Sequence, residues 1–146
     1  MLPRPQSILL IEPDIDDRDM YAYYLHTFGF TVQTADTTDD GLTRASDADV
    51  IVTGMWVPGS FDGVELVWQL RNADATEETP IIVLTADAFQ ADRQRAYAAG
   101  CDVFVPKPCL PDRLAREIRA VLSRRRVPMQ PQPARALVNY RHRRAS

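Results

Sequence analysis

Apolar and polar positions follow two rhythms along this chain. Nearly continuous apolar runs occur in "SILLI" (7–11), "DVIVT" (49–53), "PIIVLT" (80–85) and "DVFVP" (102–106), whereas "FTVQTA" (30–35) alternates. Short apolar runs bounded by turn residues read as strands. The unbroken stretches 8–11, 50–52 and 81–84 suit strands buried on both faces of a parallel sheet, and the alternating 30–35 suits an exposed edge. Between them, apolar residues recur at helical spacing. Residues 15–28 place Met20, Tyr21, Tyr24, Leu25 and Phe28 at such intervals, with Gly29 as the stop. Further helices are predicted at 38–48, 62–73, 89–99 and 111–125. The stripe Tyr21, Tyr24 and Phe28 reads as core packing, with a ligand platform as the alternative.

Five strands alternating with five helices form a (βα)₅ chain. Right-handed crossovers then make an α/β, doubly wound, five-stranded parallel sheet. The expected strand order is the flavodoxin-like 2-1-3-4-5, with any chemistry at the carboxyl ends of the strands. The informative positions are therefore Glu12–Asp14, Thr53–Gly59, Thr85–Asp87 and Phe104–Pro108.

Length and charge refine this picture. The 146 residues suit one domain, divided here into an N-terminal arm (1–6), a globular part (7–123) and a tail (124–146). No apolar run approaches the ~20 residues of a membrane span. The opening "MLPRPQSILLIEPD" turns acidic too early for a signal peptide, so a cytoplasmic protein without membrane attachment is expected. All 20 acidic residues lie at or before Glu117, and seven of the 17 basic ones lie after Leu122. Residues 1–122 thus carry 10 − 20 = −10, and the remainder carries +7. The Pro- and Arg-rich tail reads as disordered, and nucleic-acid contact, if any, would run through it. Cys101 and Cys109 lie eight positions apart. An extended segment of that length spans about 25 Å, too far for a bridge, so two reduced thiols are expected.

The strand ends carry "EPDIDD", "GMWVPGSFDG", "LTAD" and "VPKP", in that order. Together with "PIIVLTA" and "YAAGCDVFVPKP", they resemble the receiver domain of two-component response regulators over residues 7–123. The resemblance implies a phosphorelay machine. An acidic pair after the first strand binds Mg²⁺, and an Asp ending the third accepts a phosphoryl group. A hydroxyl after the fourth and a Lys after the fifth hold that group, and an aromatic on the fifth acts as a switch. Such transfer is mainly positioning and electrostatics. By this resemblance Thr85 matches the hydroxyl, Lys107 the lysine, Phe104 the switch and Pro58 the loop proline, with a Lys107-Pro108 step that is often cis in the family.

The acceptor stands four residues before that proline, and here it is Gly54. Positions 50–61 contain no acid, so no small shift of register supplies one. Thr53 points to the opposite face, because strand side chains alternate. Glu12 fills the first acidic position, but Pro13 fills the second and offers no ligand. Asp14 reads as a helix N-cap, with metal ligation as a weaker option. Loss or weakening of Mg²⁺ binding is expected, with no cofactor, no catalysed reaction, and Lys107 paired to Glu12. The reading is a stand-alone, atypical pseudo-receiver. It acts as a phosphorylation-independent protein-interaction module through its helix 4–strand 5–helix 5 face (about 88–123), or with a second copy of itself. The alternatives are a phosphoreceiver using Asp14 or Asp62 as acceptor, and a nucleic-acid adaptor working through the tail.

Overall fold

A computed structural model describes residues 4–124. The arm is therefore described only from residue 4, and the expectations for the tail beyond Arg124 fall outside the described residues. Five strands, β1 (Ser7–Ile11), β2 (Thr31–Ala35), β3 (Val50–Thr53), β4 (Ile81–Thr85) and β5 (Val103–Pro106), form one sheet in the order β2-β1-β3-β4-β5. Every pairing is parallel. Five helices connect or follow them: α1 (Ile15–Thr27), α2 (Thr38–Arg44), α3 (Gly63–Arg71), α4 (Gln90–Ala99) and α5 (Pro111–Ser123). The expected α/β architecture and strand order are both present.

Alternation of side chains sorts the strand residues between two core layers. Leu9, Ile11, Ile51, Val83 and Phe104 pack on one face against Val64, Val67 and Leu70 of α3 and Ala96 and Ala99 of α4. Ile8, Leu10, Val50, Val52, Ile82, Leu84 and Val105 pack on the other against Tyr21 and Leu25 of α1 and Leu114, Ile118 and Val121 of α5. The continuous apolar runs are continuous because both faces are covered. In β2 only Ala35 is buried, as an edge strand allows.

Several boundaries move. The helix expected at 38–48 stops at Arg44 and passes into a 3₁₀ turn at Ala45–Asp47. Positions 46 and 47 are Ser and Asp, residue types that favour turns over helix interiors. Residues Asp62 and Phe89, expected inside helices, are the N-cap residues of α3 and α4. α5 ends at Ser123 rather than at residue 125.

The aromatic stripe on α1 is not one core surface. Tyr21 is buried and donates its hydroxyl to the Cys109 carbonyl at 2.6 Å. Tyr24 and Phe28 are 44% and 37% exposed and line a groove between α1 and the start of α5. Helical phase places them beside Tyr21, but among the described residues no neighbouring element covers that flank.

Candidate functional site

The carboxyl ends of β1, β3, β4 and β5 meet at one edge of the sheet. The segments after β1 and at the end of β5 supply the side chains of a small polar cluster, and β4 holds the end of β5 through its backbone. β1 runs into Glu12, whose backbone N–H is held by the Ala35 carbonyl at 2.9 Å. Asp14 then caps α1, its carboxylate accepting from the Asp17 N–H at 3.0 Å. β5 ends in a cis Lys107-Pro108 peptide, and the Lys107 N–H is held by the Thr85 carbonyl at 2.8 Å.

Lys107 is the centre of the cluster. Its ammonium donates to Glu12 Oε1 at 2.8 Å and to Asp17 Oδ2 at 2.6 Å. Glu12 Oε2 in turn accepts from the Asp14 N–H at 3.0 Å. The Glu12 side chain is only 6% exposed, so both of its oxygens are satisfied inside the protein. Burial opposes the charge on Lys107, but its hydrogen bonds to Asp17 and Glu12 outweigh it and hold the ammonium above its ordinary 10.5. Two carboxylates around one ammonium leave the cluster with a formal charge of −1.

The Lys107–Glu12 pair follows the sequence expectation. Asp17 does not: it was missed, although with Asp14 as N-cap it falls at the third helical position. A first-turn side chain there can turn back over the cap.

Position 54 carries no side chain. The Gly54 N–H donates to the Ile11 carbonyl at 3.0 Å, which ties the end of β3 to β1. A Cβ placed there would stand 3.3 Å from a methyl of buried Val57, so the space is narrow but open. Thr53 is fully buried and spends its hydroxyl on the Gly54 carbonyl at 2.9 Å.

The following loop is fastened to α2: the Thr38 N–H meets the Pro58 carbonyl at 2.9 Å, and the Thr38 hydroxyl meets Phe61 O at 2.6 Å. Asp39 accepts from the Ser60 N–H at 2.9 Å. Gly63 opens α3 directly against the carbonyls of Gly54 and Met55, where a Cβ could not stand.

The remaining residues singled out by sequence make no side-chain hydrogen bond to Lys107. The Thr85 hydroxyl accepts from the Asp87 N–H at 3.1 Å within its own loop. Pro13 is exposed. Phe104 is buried beneath α4, with the Arg93 guanidinium 4.9 Å above its ring and its N–H bonded to the Tyr97 hydroxyl at 3.1 Å. Asp62 caps α3 through the Glu65 N–H at 2.9 Å and lies 3.9 Å from Arg95. Cys101 and Cys109 are buried free thiols. Among the described residues, no group of three or more His, Cys, Asp or Glu side chains is arranged to hold a metal ion. Among the same residues, no helix is long and apolar enough to cross a membrane.

Comparison with known proteins agrees with this geometry. Residues 8–119 match the model of the response regulator receiver domain. The transcriptional regulatory protein ResD of Bacillus subtilis is 30% identical over 120 residues, which is 81% of this chain and 48% of ResD. The phosphate regulon regulator PhoB of Escherichia coli is 30% identical over 82% of this chain and 52% of its own. The chain thus spans about half the length of the curated relatives it matches. Among solved structures, the chemotaxis response regulator CheY4 of Vibrio cholerae superposes with a TM-score of 0.74 at 28% identity, covering 80% of this chain and 98% of CheY4. The sheet order, the Lys107 cluster and the match across residues 8–119 lead to one conclusion: the chain belongs to the response regulator receiver domain family of two-component signalling.

Proposed function

We propose that this receiver domain works without phosphorylation, as a protein-interaction module in two-component signalling. The observation that carries the reading is Gly54 at the carboxyl end of β3, where the family's acceptor carboxylate is expected. Three further features support it. Pro13 supplies no ligand, and Glu12 has both oxygens committed, so the residues present do not suit a Mg²⁺ ion, which prefers several free oxygen ligands. Lys107 is already neutralised by two carboxylates, so an incoming phosphoryl anion would have to displace them and meet their charge. The substitute acceptors Asp14 and Asp62 both serve as helix caps.

The partner in this reading is a protein that meets the α4–β5–α5 side. Phe89 is 73% exposed there and Tyr97 is 40% exposed, an apolar presence that suits the buried centre of a protein interface. Tyr97 and Arg93 also touch Phe104, so this face is mechanically joined to the core. Regulation then comes from partner supply and affinity.

The direct test is incubation of the whole chain with Mg²⁺ and a small-molecule phosphodonor, followed by intact mass measurement. The reading expects an unchanged mass. A gain of one acid-labile phosphoryl group, mapped to any carboxylate at this edge, would overturn it.

A further inference from the structure

Of the eight large apolar side chains exposed among the described residues, five stand on or beside α1: Ile15, Tyr23, Tyr24, Phe28 and, just before α5, Leu110. Tyr23 is 64% and Leu110 71% exposed, and the rings of Tyr23 and Tyr24 meet edge to face at 5.2 Å. An exposed apolar patch of this kind marks a surface that another protein covers. We propose that a second copy of this chain covers it, in a two-fold dimer that lays the α1 of each copy over the α5 of the other.

Helix directions fix what such a dimer brings together. α1 and α5 follow parallel strands and pack on the same face of the sheet, so they run in the same sense. Tyr21 reaches the Cys109 carbonyl just before α5, and Arg119 reaches the Phe28 carbonyl just after α1, so the two helices are nearly level. Helical phase sets Asp19 and Tyr23 opposite the buried Tyr21 and Leu25, and Arg113 and Arg116 opposite the buried Leu114 and Ile118. All four outward residues are exposed. A two-fold axis in the plane of contact and parallel to the helices turns each of these ridges onto the other. Asp19 then faces the second copy's Arg113 within about one helical turn. Arg113 shortens that gap, because helical side chains lean toward the start of their helix. Tyr23 faces the second copy's Arg116, ring to guanidinium. By symmetry each contact occurs twice.

Charge selects both the occupant and the arrangement. Asp16 and Asp19 are exposed on α1, and among the described residues neither makes an ion pair. Arg18, between them, turns to the Glu12 carbonyl, and Asp17 is committed to Lys107 and takes no part. On α5, Arg113 likewise makes no ion pair among the described residues. Arg116 lies 3.5 Å from Asp112, but both are largely exposed and water weakens that pair. The face is thus acidic along α1 and basic along α5. A partner of one sign would be drawn to one half and repelled by the other, whereas a copy turned about this axis meets the opposite sign on both. An axis across the helices would instead lay Arg113, Arg116 and Arg124 on their own counterparts. Phe89 and Tyr97, on the α4 side, are not part of the contact.

Sedimentation equilibrium of the full chain tests this. The natural chain should pass from the mass of a monomer to that of a dimer as its concentration rises. Asp19→Arg and Arg113→Asp, both at exposed positions, should each stay monomeric over the same range. An equimolar mixture of these two variants should recover the dimer. One chain then carries basic side chains at both positions and the other acidic ones, so both contacts join opposite charges. Tyr23→Ser should lose the dimer, and Phe89→Ser should keep it. A natural chain that is monomeric at every concentration overturns the proposal. So does a dimer that survives both charge reversals, one that the mixture fails to recover, or one lost with Phe89 rather than with Tyr23.

Discussion

At the amino end of the sheet Arg71 is wrapped by backbone carbonyls; at the carboxyl end Lys107 is held by carboxylates. Arg71 donates to Gly100 O at 2.8 Å, Thr79 O at 2.7 Å and Glu77 O at 3.2 Å, and pairs with Asp102 at 2.6 Å. Its side chain is 3% exposed. The planar guanidinium suits such a fixed fork of acceptors, and the result ties the end of α3 to the starts of β4 and β5. Lys107 is 17% exposed, and one of its two partners, Asp17, is 39% exposed. Its cluster joins β1, α1 and β5 through charged hydrogen bonds from a flexible stem. The first arrangement is a staple that needs no ligand. The second holds a strand-end lysine between two carboxylates, at the end of the sheet where the receiver motifs gather.

The comparison breaks most visibly at the staple. Arg71→Met should cost about 3–5 kcal/mol, because Asp102 and the carbonyls lose a buried partner. Chemical denaturation measures this, and a loss below ~1 kcal/mol would show that water replaces the fork. Lys107→Met should cost less, about 2 kcal/mol, since only Glu12 is left deeply buried and Asp17 returns to solvent.

Alkali probes the core behind both ends. Burial pushes Cys101 up to about 12 from 9.0 and Tyr21 up to about 12 from 10.0, and Lys107 is held above 10.5. In each case the folded state binds the proton more tightly than the unfolded chain. For Cys101 and Tyr21 that stabilisation begins to fall above about pH 9 and pH 10 respectively and is lost as pH rises toward 12, by up to ~1.4 kcal/mol per pH unit for each; Lys107 acts in the same direction. Denaturation midpoints between pH 7 and 11 check the sign; a flat or rising profile above pH 9 contradicts it.

A reconstruction sharpens the contrast from the other side. Gly54→Asp together with Pro13→Asp should fit with a small shift of Val57, given the 3.3 Å clearance. That variant should gain a Mg²⁺-dependent rise in melting temperature of a few degrees, and the natural chain none. Equal response in both would mean that the natural pocket binds the ion. The smallest stability effect belongs to Phe89→Ser, within ~0.5 kcal/mol at an exposed cap residue. Its consequence should appear in partner affinity.

The sheet was legible because burial on both faces writes unbroken runs such as 81–84, whereas the edge strand β2 keeps its polar alternation. The Lys107–Glu12 pair was legible through the strand-end rule and the resemblance at "VPKP". Asp17 was not, because nothing local says that a first-turn carboxylate faces a lysine 90 residues away. The fastening of the 58–61 loop to Thr38 and Asp39 was hidden for the same reason. The exposure of Tyr24 and Phe28 eluded periodicity, which tells which residues share a helix face but not how much of that face a neighbour covers.

The measurement closest to the central claim is an amide NMR titration of the full chain, first with Mg²⁺ and then with beryllofluoride, a phosphoryl mimic. With Gly54 and Pro13 in place, and Lys107 held by Glu12 and Asp17, signals from residues 12–14, 54, 85 and 107 should stay still at millimolar concentrations. Joint movement of those signals with Phe104 would contradict the account, for it would mean that the pocket still takes metal and phosphoryl-like anions and passes the event to the switch aromatic.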